Sequence, residues 1–433
     1  VEQICKSEDF LGSYILVQST EETEEVKSRI HNVLDKEYEP RVVIYRGKRN
    51  SKEDLKKLNV HKAKSVFITG ESGEMDRDSM NLEAMRLIAE IRTQTGQGDN
   101  AKPLPVAVQF EYQTTFSAFQ VTDLAGQWRE QIDFYPFNFY ESWAKKVLVS
   151  HCYTHDNECI DYPLLDREAI SYESDKTVHL VILGMSRMGV AMGTFAAHLL
   201  HFPNFCRDHS KKTRITFIDA NADREMDFFR NRYRGLFEIS SALYKDYSMA
   251  DVVEKVIPPT YFSGKDADFL DFEFEFIKGN VESTAIQNYL KDIANDDNSQ
   301  ISIFVCLKEP SHNMVVGLSL PNEIYDKSIP VFIRLKSSEA LLTMLNQSGG
   351  DGKYSKYSNL YPFGMLENCY DLDYDKLELA QWINYSYAAP TEKDTPSSLW
   401  RQLPIALQWS NFYTAYSKDF KLRSFKDEIN GGL

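Results

Sequence analysis

The sequence predicts an α/β protein: two parallel-sheet units in tandem, followed by a small α-helical segment. Three observations predict it. Short β-branched runs alternate with amphipathic stretches over residues 14–335, as parallel strands joined by covering helices do. The same order of landmarks occurs twice along the chain. Residues Val178–Ala197 (VHLVILGMSRMGVAMGTFAA) read as a buried strand, a tight glycine turn and a small-residue helix.

In the first unit Tyr14–Val17, Val42–Tyr45, Ser65–Thr69 (SVFIT) and Pro105–Phe110 (PVAVQF) read as strands. Glu21–Leu34, Lys52–Leu58 and Asp78–Ile91 read as the helices between them. In the last of these Leu82, Met85, Leu87 and Ile88 fall mostly on one face. Phe116–Trp128 and Phe139–Val149 read as two further helices. The second unit has strands at Val178–Leu183, Arg214–Ile218, Phe272–Ile277, Ile301–Leu307 and, as its last, Pro330–Leu335. Helices are expected near Ser283–Ile293 and His312–Leu320.

The repeat pairs Arg46-Gly47-Lys48 with Lys278-Gly279-Asn280, SVFIT with IFVCL, Asn81 with Asn313, and PVAVQF with PVFIRL. The first copy then begins at its second strand, its glycine turn would lie before Val1, and the chain is read as a fragment. Arg230–Asp271 is a long insertion rich in Tyr, Asp and Glu, and Gln347–Ser358 (QSGGDGKYSKYS) is a Gly/Ser-rich linker. Beyond it Leu377, Ala380, Ile383 and Tyr387 recur at helical spacing, and Leu403–Phe420 follows. The expected domains are 1–150, 178–346 and 359–433, with linkers at 151–177 and 347–358.

Composition narrows the function. The chain has 433 residues, 42% hydrophobic and 26% charged, enough for two or three cores. A net charge of −15 argues against polymeric nucleic acid, because no surplus of Lys and Arg exists to displace its counterions. The six cysteines are scattered, which suits a reducing cytoplasm. No signal peptide and no apolar run long enough to span a bilayer is present.

The glycine turn carries the chemistry. Strand, turn and helix form the phosphate-cradling start of a Rossmann unit. Gly184 would allow the tight turn, and Gly189 would let helix and strand pack closely. Ser186 replaces the middle glycine, narrowing the approach to phosphate while adding a hydroxyl. The helix N-terminus offers N–H groups and positive dipole charge to a pyrophosphate. Asp219 ends the second strand, where an acid binds ribose hydroxyls. Arg187 could reach a phosphate or pair on the surface, and Lys308 could touch ligand or simply be solvated.

Other clusters read as structural. His151–Cys159 gathers four potential zinc ligands in no standard spacing and is taken as a polar linker, with no metal expected. Trp382, Tyr385, Trp400 and Trp409 read as aromatic core rather than a base-stacking pocket. Glu273 and Glu275 alternate with phenylalanines and read as a solvated strand face. No nucleophile–base pattern appears: G-M-S-R-M-G is not a nucleophile elbow, so no catalytic residue and no enzyme activity is expected.

The duplicated pattern resembles the TrkA-N/RCK family, cytosolic regulators of potassium channels and Trk-type transporters, over most of residues 10–340. The glycine turn Gly184–Gly189, Asp219, Gly279–Thr284 and the helix start near Asn313 carry the resemblance. It implies a nucleotide site of Gly184, Ser186, Arg187, Met188, Gly189, Asp219, Ala220, Asn280, Val281, Leu307 and Lys308. Asn280 departs from the family's usual acid. The implied ligand is NAD(H) or an adenine nucleotide. The implied partner is a membrane transporter or channel segment, reached through residues before Val1 or as a separate chain, in a homo-oligomer. The tail resembles the RyR domain, a small helical repeat, through Leu377–Ala388, Trp400 with Leu403, and Trp409-Ser410-Asn411. Together they imply a non-enzymatic regulator on the cytoplasmic side. The rivals are an NAD-dependent oxidoreductase, which needs an acid/base not found here, and an RyR-based sensor in a bacterial defence or stress pathway.

Overall fold

The computed structural model describes residues 1–433 except 7–9, 71–75, 96–101, 122–125, 156–157, 250, 262–269, 336–355, 366–373 and 427–433. The chain is α/β and forms two compact bodies: residues 1–138 with 404–406, and residues 139–403 with 407–433.

In the first body β1 (Ile15–Ser19) pairs in parallel with β2 (Val42–Arg46). A separate parallel sheet runs β3 (Val66–Ile68), β4 (Leu104–Phe110), β5 (Ile132–Asn138). The helix Arg77–Gln94 buries Met85, Leu87 and Ile88 of the expected face, together with Ala84 and Ile91, while Leu82 is only partly buried. The helix expected over Phe116–Trp128 is shorter. Gln113–Val121 is helical, Gly126–Trp128 is a 3-10 turn, and the unexpected strand β5 follows. Pro136 hid that strand. Proline lacks an N–H and is tolerated only where no further strand needs one, and β5 lies at an edge.

The second body opens with the helix Phe139–Lys145, which continues as one π-helical turn, Lys146–Ser150. A hairpin of β6 (Cys152–His155) and β7 (Glu158–Asp161) comes next. The main sheet holds β8 (Thr177–Leu183), β9 (Thr213–Asp219), β10 (Ala242–Asp246), β11 (Val253–Ile257), β12 (Phe272–Lys278), β13 (Ser299–Val305), β14 (Val331–Arg334) and β15 (Leu360–Phe363). Its order is β11-β10-β12-β9-β8-β13-β14-β15. All neighbours are parallel except β10 and β11, the two strands that the insertion contributes.

Strand alternation splits the core into a face rich in phenylalanine, which also holds Leu180, Ile182 and Ile215, and an aliphatic face. Phe217, Phe274, Phe276, Phe304 and Phe332 face one side, where the helix Arg187–Leu199 brings Met188, Met192 and Phe195. Ile218, Ile277, Ile303 and Ile333 face the other, against Ile286 and Leu290 of the helix Thr284–Ala294. Burial on both faces is why these strands read as continuous apolar runs.

The expected boundaries do not separate cores. Pro330–Leu335 is not the last strand, because β15 adds to it in parallel. The expected linker 347–358 lies largely outside the described residues, and the chain emerging from it re-enters the sheet. Residues 139–150, expected with the first unit, pack on the second: Trp143 is fully buried against Phe363 and its Nε1 donates to the Met365 carbonyl at 3.0 Å. The segment 151–177 is no loose linker, since Leu165 and Ile170 enter the aromatic-face core and the Tyr162 hydroxyl donates to Pro362 O at 2.8 Å.

The tail divides. Ala380, Trp400 and Ala415 make a small cluster of their own. Tyr416 and Phe420, from the helices Ile405–Tyr416 and Lys418–Ser424, enter the main core. Arg423 closes the tail with two hydrogen bonds of 2.9 Å to the fully buried Asp166. Residues 359–433 therefore share their apolar burial between a cluster of their own and the main core. Among the described residues, no helix is long and apolar enough to cross a membrane.

Candidate functional site

Counting only strands that follow one another in the parallel run, the main sheet reads three-two-one-four-five-six from β12 to β15. Strand order reverses between β8 and β13, where the two following loops diverge and leave a crevice at the carboxyl ends. The glycine turn of the sequence lies there. Gly184 N donates to Ile218 O and Cys306 N to Leu183 O, each at 2.8 Å, so three strand ends are stitched together beneath the crevice.

Gly184 has φ +101°, and a Cβ there would lie 2.9 Å from the Cys306 carbonyl and from Leu307 backbone atoms. Both the conformation and the space exclude a side chain. At Gly189 a Cβ would lie 2.2 Å from Gly184 O. The helix can start this close to the turn only because that position is glycine. Ser186 caps the helix, its hydroxyl accepting from Gly189 N at 3.4 Å. The first-turn N–H groups stay outside the helix's own ladder, at the positive end of its dipole.

Asp219 has a role that spacing does not reveal. Its Oδ2 accepts from Met185 N at 2.9 Å and its Oδ1 from Asn221 N at 2.8 Å. The carboxylate therefore braces the glycine turn. A carboxylate has about four acceptor sites, so two lone pairs remain to meet a diol.

The other expected residues separate into groups. Leu307 is half-buried, and its N–H donates to Asn313 Oδ1 at 2.7 Å. Arg187, Ala220, Asn280 and Lys308 are exposed at the same edge. Asn280 Oδ1 accepts from Glu282 N at 3.0 Å, a local turn contact. Met188 and Val281 are core side chains, which leaves only their backbone for a ligand. Asn280 and Val281 stand one strand outward, joined to Asp219 through Gly279 N, which donates to Asp219 O at 3.1 Å. Burial pushes the Cys306 thiol up to about 12, with Arg334 pulling weakly the other way. Such a thiol stays protonated and inert.

The first body repeats some of these bonds. Gly47 N donates to Ser19 O at 2.9 Å, as Gly279 N does to Asp219 O. The Asn81 amide donates to Gln109 O at 2.8 Å and the Asn313 amide to Arg334 O at 3.0 Å. Ser19 stands where the second body has its acid. Among the described residues β1-β2 and β3-β4-β5 are separate sheets, and β1 is not hydrogen-bonded to β3.

Away from the crevice one expectation is corrected. Glu275 is fully buried, not on a solvated face. Its Oε2 accepts from Thr216 Oγ1 at 2.7 Å and Tyr289 OH at 2.8 Å, and Lys245 lies 2.9 Å from its Oε1. Burial pushes this carboxyl up, but the bonds from Lys245, Thr216 and Tyr289 outweigh it and hold the pKa below its ordinary value. Lys245 comes from β10, within the insertion, so the charge is neutralised by a strand outside the regular alternation. Glu273 is partly buried and pairs with Arg214.

Of the tail aromatics, Trp400 is core while Trp382 is 52% exposed, edge-on to Tyr385. The side chains of 152–160 lie outside the described residues. His151 is pushed down to about 4, chiefly by burial. Among the described residues no group of three or more His, Cys, Asp or Glu is placed to hold a metal. Comparison of the chain with known protein families gives no match, and neither does comparison with curated proteins.

Proposed function

We propose that this chain is a nucleotide-binding regulator of the TrkA-N/RCK type, with a ligand seated at the glycine turn of its second unit. The observation that carries the reading is the coincidence of Gly184–Gly189, the capped helix start and Asp219 at the point where strand order reverses. The repeated glycine and asparagine bonds support a tandem of two Rossmann-like units, the first without its central strand among the described residues. Ligand binding would favour one arrangement of the two units over another and pass that preference to a channel or transporter. In this reading Gly184–Gly189 would take the phosphate and Asp219 the ribose, beside a thiol that burial keeps protonated. A binding role asks for nothing more.

The test is calorimetry of the full chain with ATP, ADP, AMP and NAD+, followed by chromatography of the recovered ligand. Saturable binding with the ligand unchanged is the expected result. A hundredfold excess over Kd would stabilise the fold by about 2.7 kcal/mol. Binding of none of the four would overturn the reading, and conversion of any of them would replace the regulator with an enzyme.

A further inference from the structure

Resting on that reading, we infer that Arg334 makes the crevice a site for a nucleoside polyphosphate rather than a dinucleotide, its guanidinium taking the terminal phosphate. Arg334 is the last residue of β14 and shares a strand face with Phe332, the face that the glycine-turn helix covers. Its stem reaches the start of that helix. A Cβ on Gly364 would lie 3.0 Å from Arg334 Cγ and 3.6 Å from Met188 Cε, so the two side chains flank one glycine. The Asn313 amide fixes the strand end through Arg334 O. The guanidinium lies 5.8 Å from the centre of the Tyr140 ring, and among the described residues no carboxylate pairs with it. Its charge is felt at the Cys306 thiol, whose Cβ lies 3.4 Å from a Cβ built on Gly189.

The position decides the ligand class. A pyrophosphate on the turn leaves its second half to run over the ends of β13 and β14. In a dinucleotide that half is a nicotinamide riboside, and in NAD+ the ring is cationic. A guanidinium repels such a ring. A terminal phosphate at the same place carries the opposite charge and matches the planar fork with two parallel hydrogen bonds. Among the described residues this half-buried arginine, in a chain of net charge −15, has no carboxylate partner, which leaves its charge available to an anion.

The experiment compares wild type with Arg334→Met, which keeps the stem and removes the charge, by calorimetry with ATP, AMP and NAD+. Wild type should bind ATP at least about tenfold more tightly than AMP or NAD+. Arg334→Met should lose about 10- to 100-fold in ATP affinity while its AMP affinity stays within about twofold, which also shows the variant folded. A wild type that prefers NAD+, or an ATP-to-AMP ratio unchanged by the substitution, overturns the inference and leaves the nucleotide site standing. Failure of wild type to bind any of the three nucleotides overturns both. Loss of AMP binding in the variant along with ATP also overturns the inference, because Arg334 would then support the turn rather than a distal phosphate.

Discussion

Acidification from pH 7 to pH 5 should weaken this fold, and His179 should carry the largest single share. His179 lies in β8 with 4% of its surface exposed. Its Nε2 is 2.8 Å from Thr216 Oγ1, and that hydroxyl donates to Glu275. The hydroxyl proton is therefore committed, and the neutral imidazole must carry its own proton on Nε2. Burial pushes the His179 pKa down to about 4; the Glu275 charge opposes this, while Arg214 and Lys245 reinforce it. The sign follows from linkage. Above pH 6.5 both folded and unfolded chains hold a neutral ring, and stability does not depend on this group. Between 6.5 and 4 only the unfolded chain takes the proton, so stability falls as pH falls. The loss is about 2 kcal/mol at pH 5 and about 3 kcal/mol by pH 4. His198 and His151 are also pushed down to about 4 by burial and act in the same direction. Both are partly exposed and contribute less. Urea-unfolding midpoints at pH 7, 6 and 5 measure the effect in wild type and in His179→Asn, each protein compared with itself. The variant should lose about 2 kcal/mol of the drop between pH 7 and 5. A wild-type stability that does not change across this range, or a variant that falls as steeply as wild type, would refute the reasoning.

Two further outcomes are expected. Gly189→Ala forces a Cβ against the Gly184 carbonyl and should cost about 1–3 kcal/mol while weakening the proposed nucleotide binding; an unchanged melting temperature with unchanged calorimetry would contradict the packing described for the turn. Arg423→Ala leaves the buried Asp166 unpaired and should cost about 3–5 kcal/mol, and a chain ending at Leu403 should melt lower still because Tyr416 and Phe420 leave the core; equal thermal midpoints for either variant and wild type would show the tail to be dispensable.

The local geometry of the candidate site was legible because its constraints are local. Val178–Leu183 is apolar whichever way it faces, and Gly184 and Gly189 must be glycine in the turn they make. Local signals failed where the decisive neighbour is distant. Phe134-Tyr135-Pro136-Phe137 and Leu360-Tyr361-Pro362-Phe363 are a repeated signal for the two edge strands, yet a central proline argues against a strand until the edge is known. Glu275 read as solvated because alternation with phenylalanine normally marks a wet face. The strand bearing Lys245 lies thirty residues away and neutralises it only once β10 is in place.

The sequence by itself determined the α/β class, the glycine turn, the position of the acid and the repeat of landmarks. Periodicity, backbone conformation and residue size act over a few positions and are written in the residues concerned. Only the tertiary structure decided that Asp219 braces the turn, that Arg334 stands beside the helix start, and that Tyr416, Phe420 and Arg423 are parts of the main body. Each of those depends on which distant backbone or charge a side chain meets after folding, and burial sets the strength of that meeting.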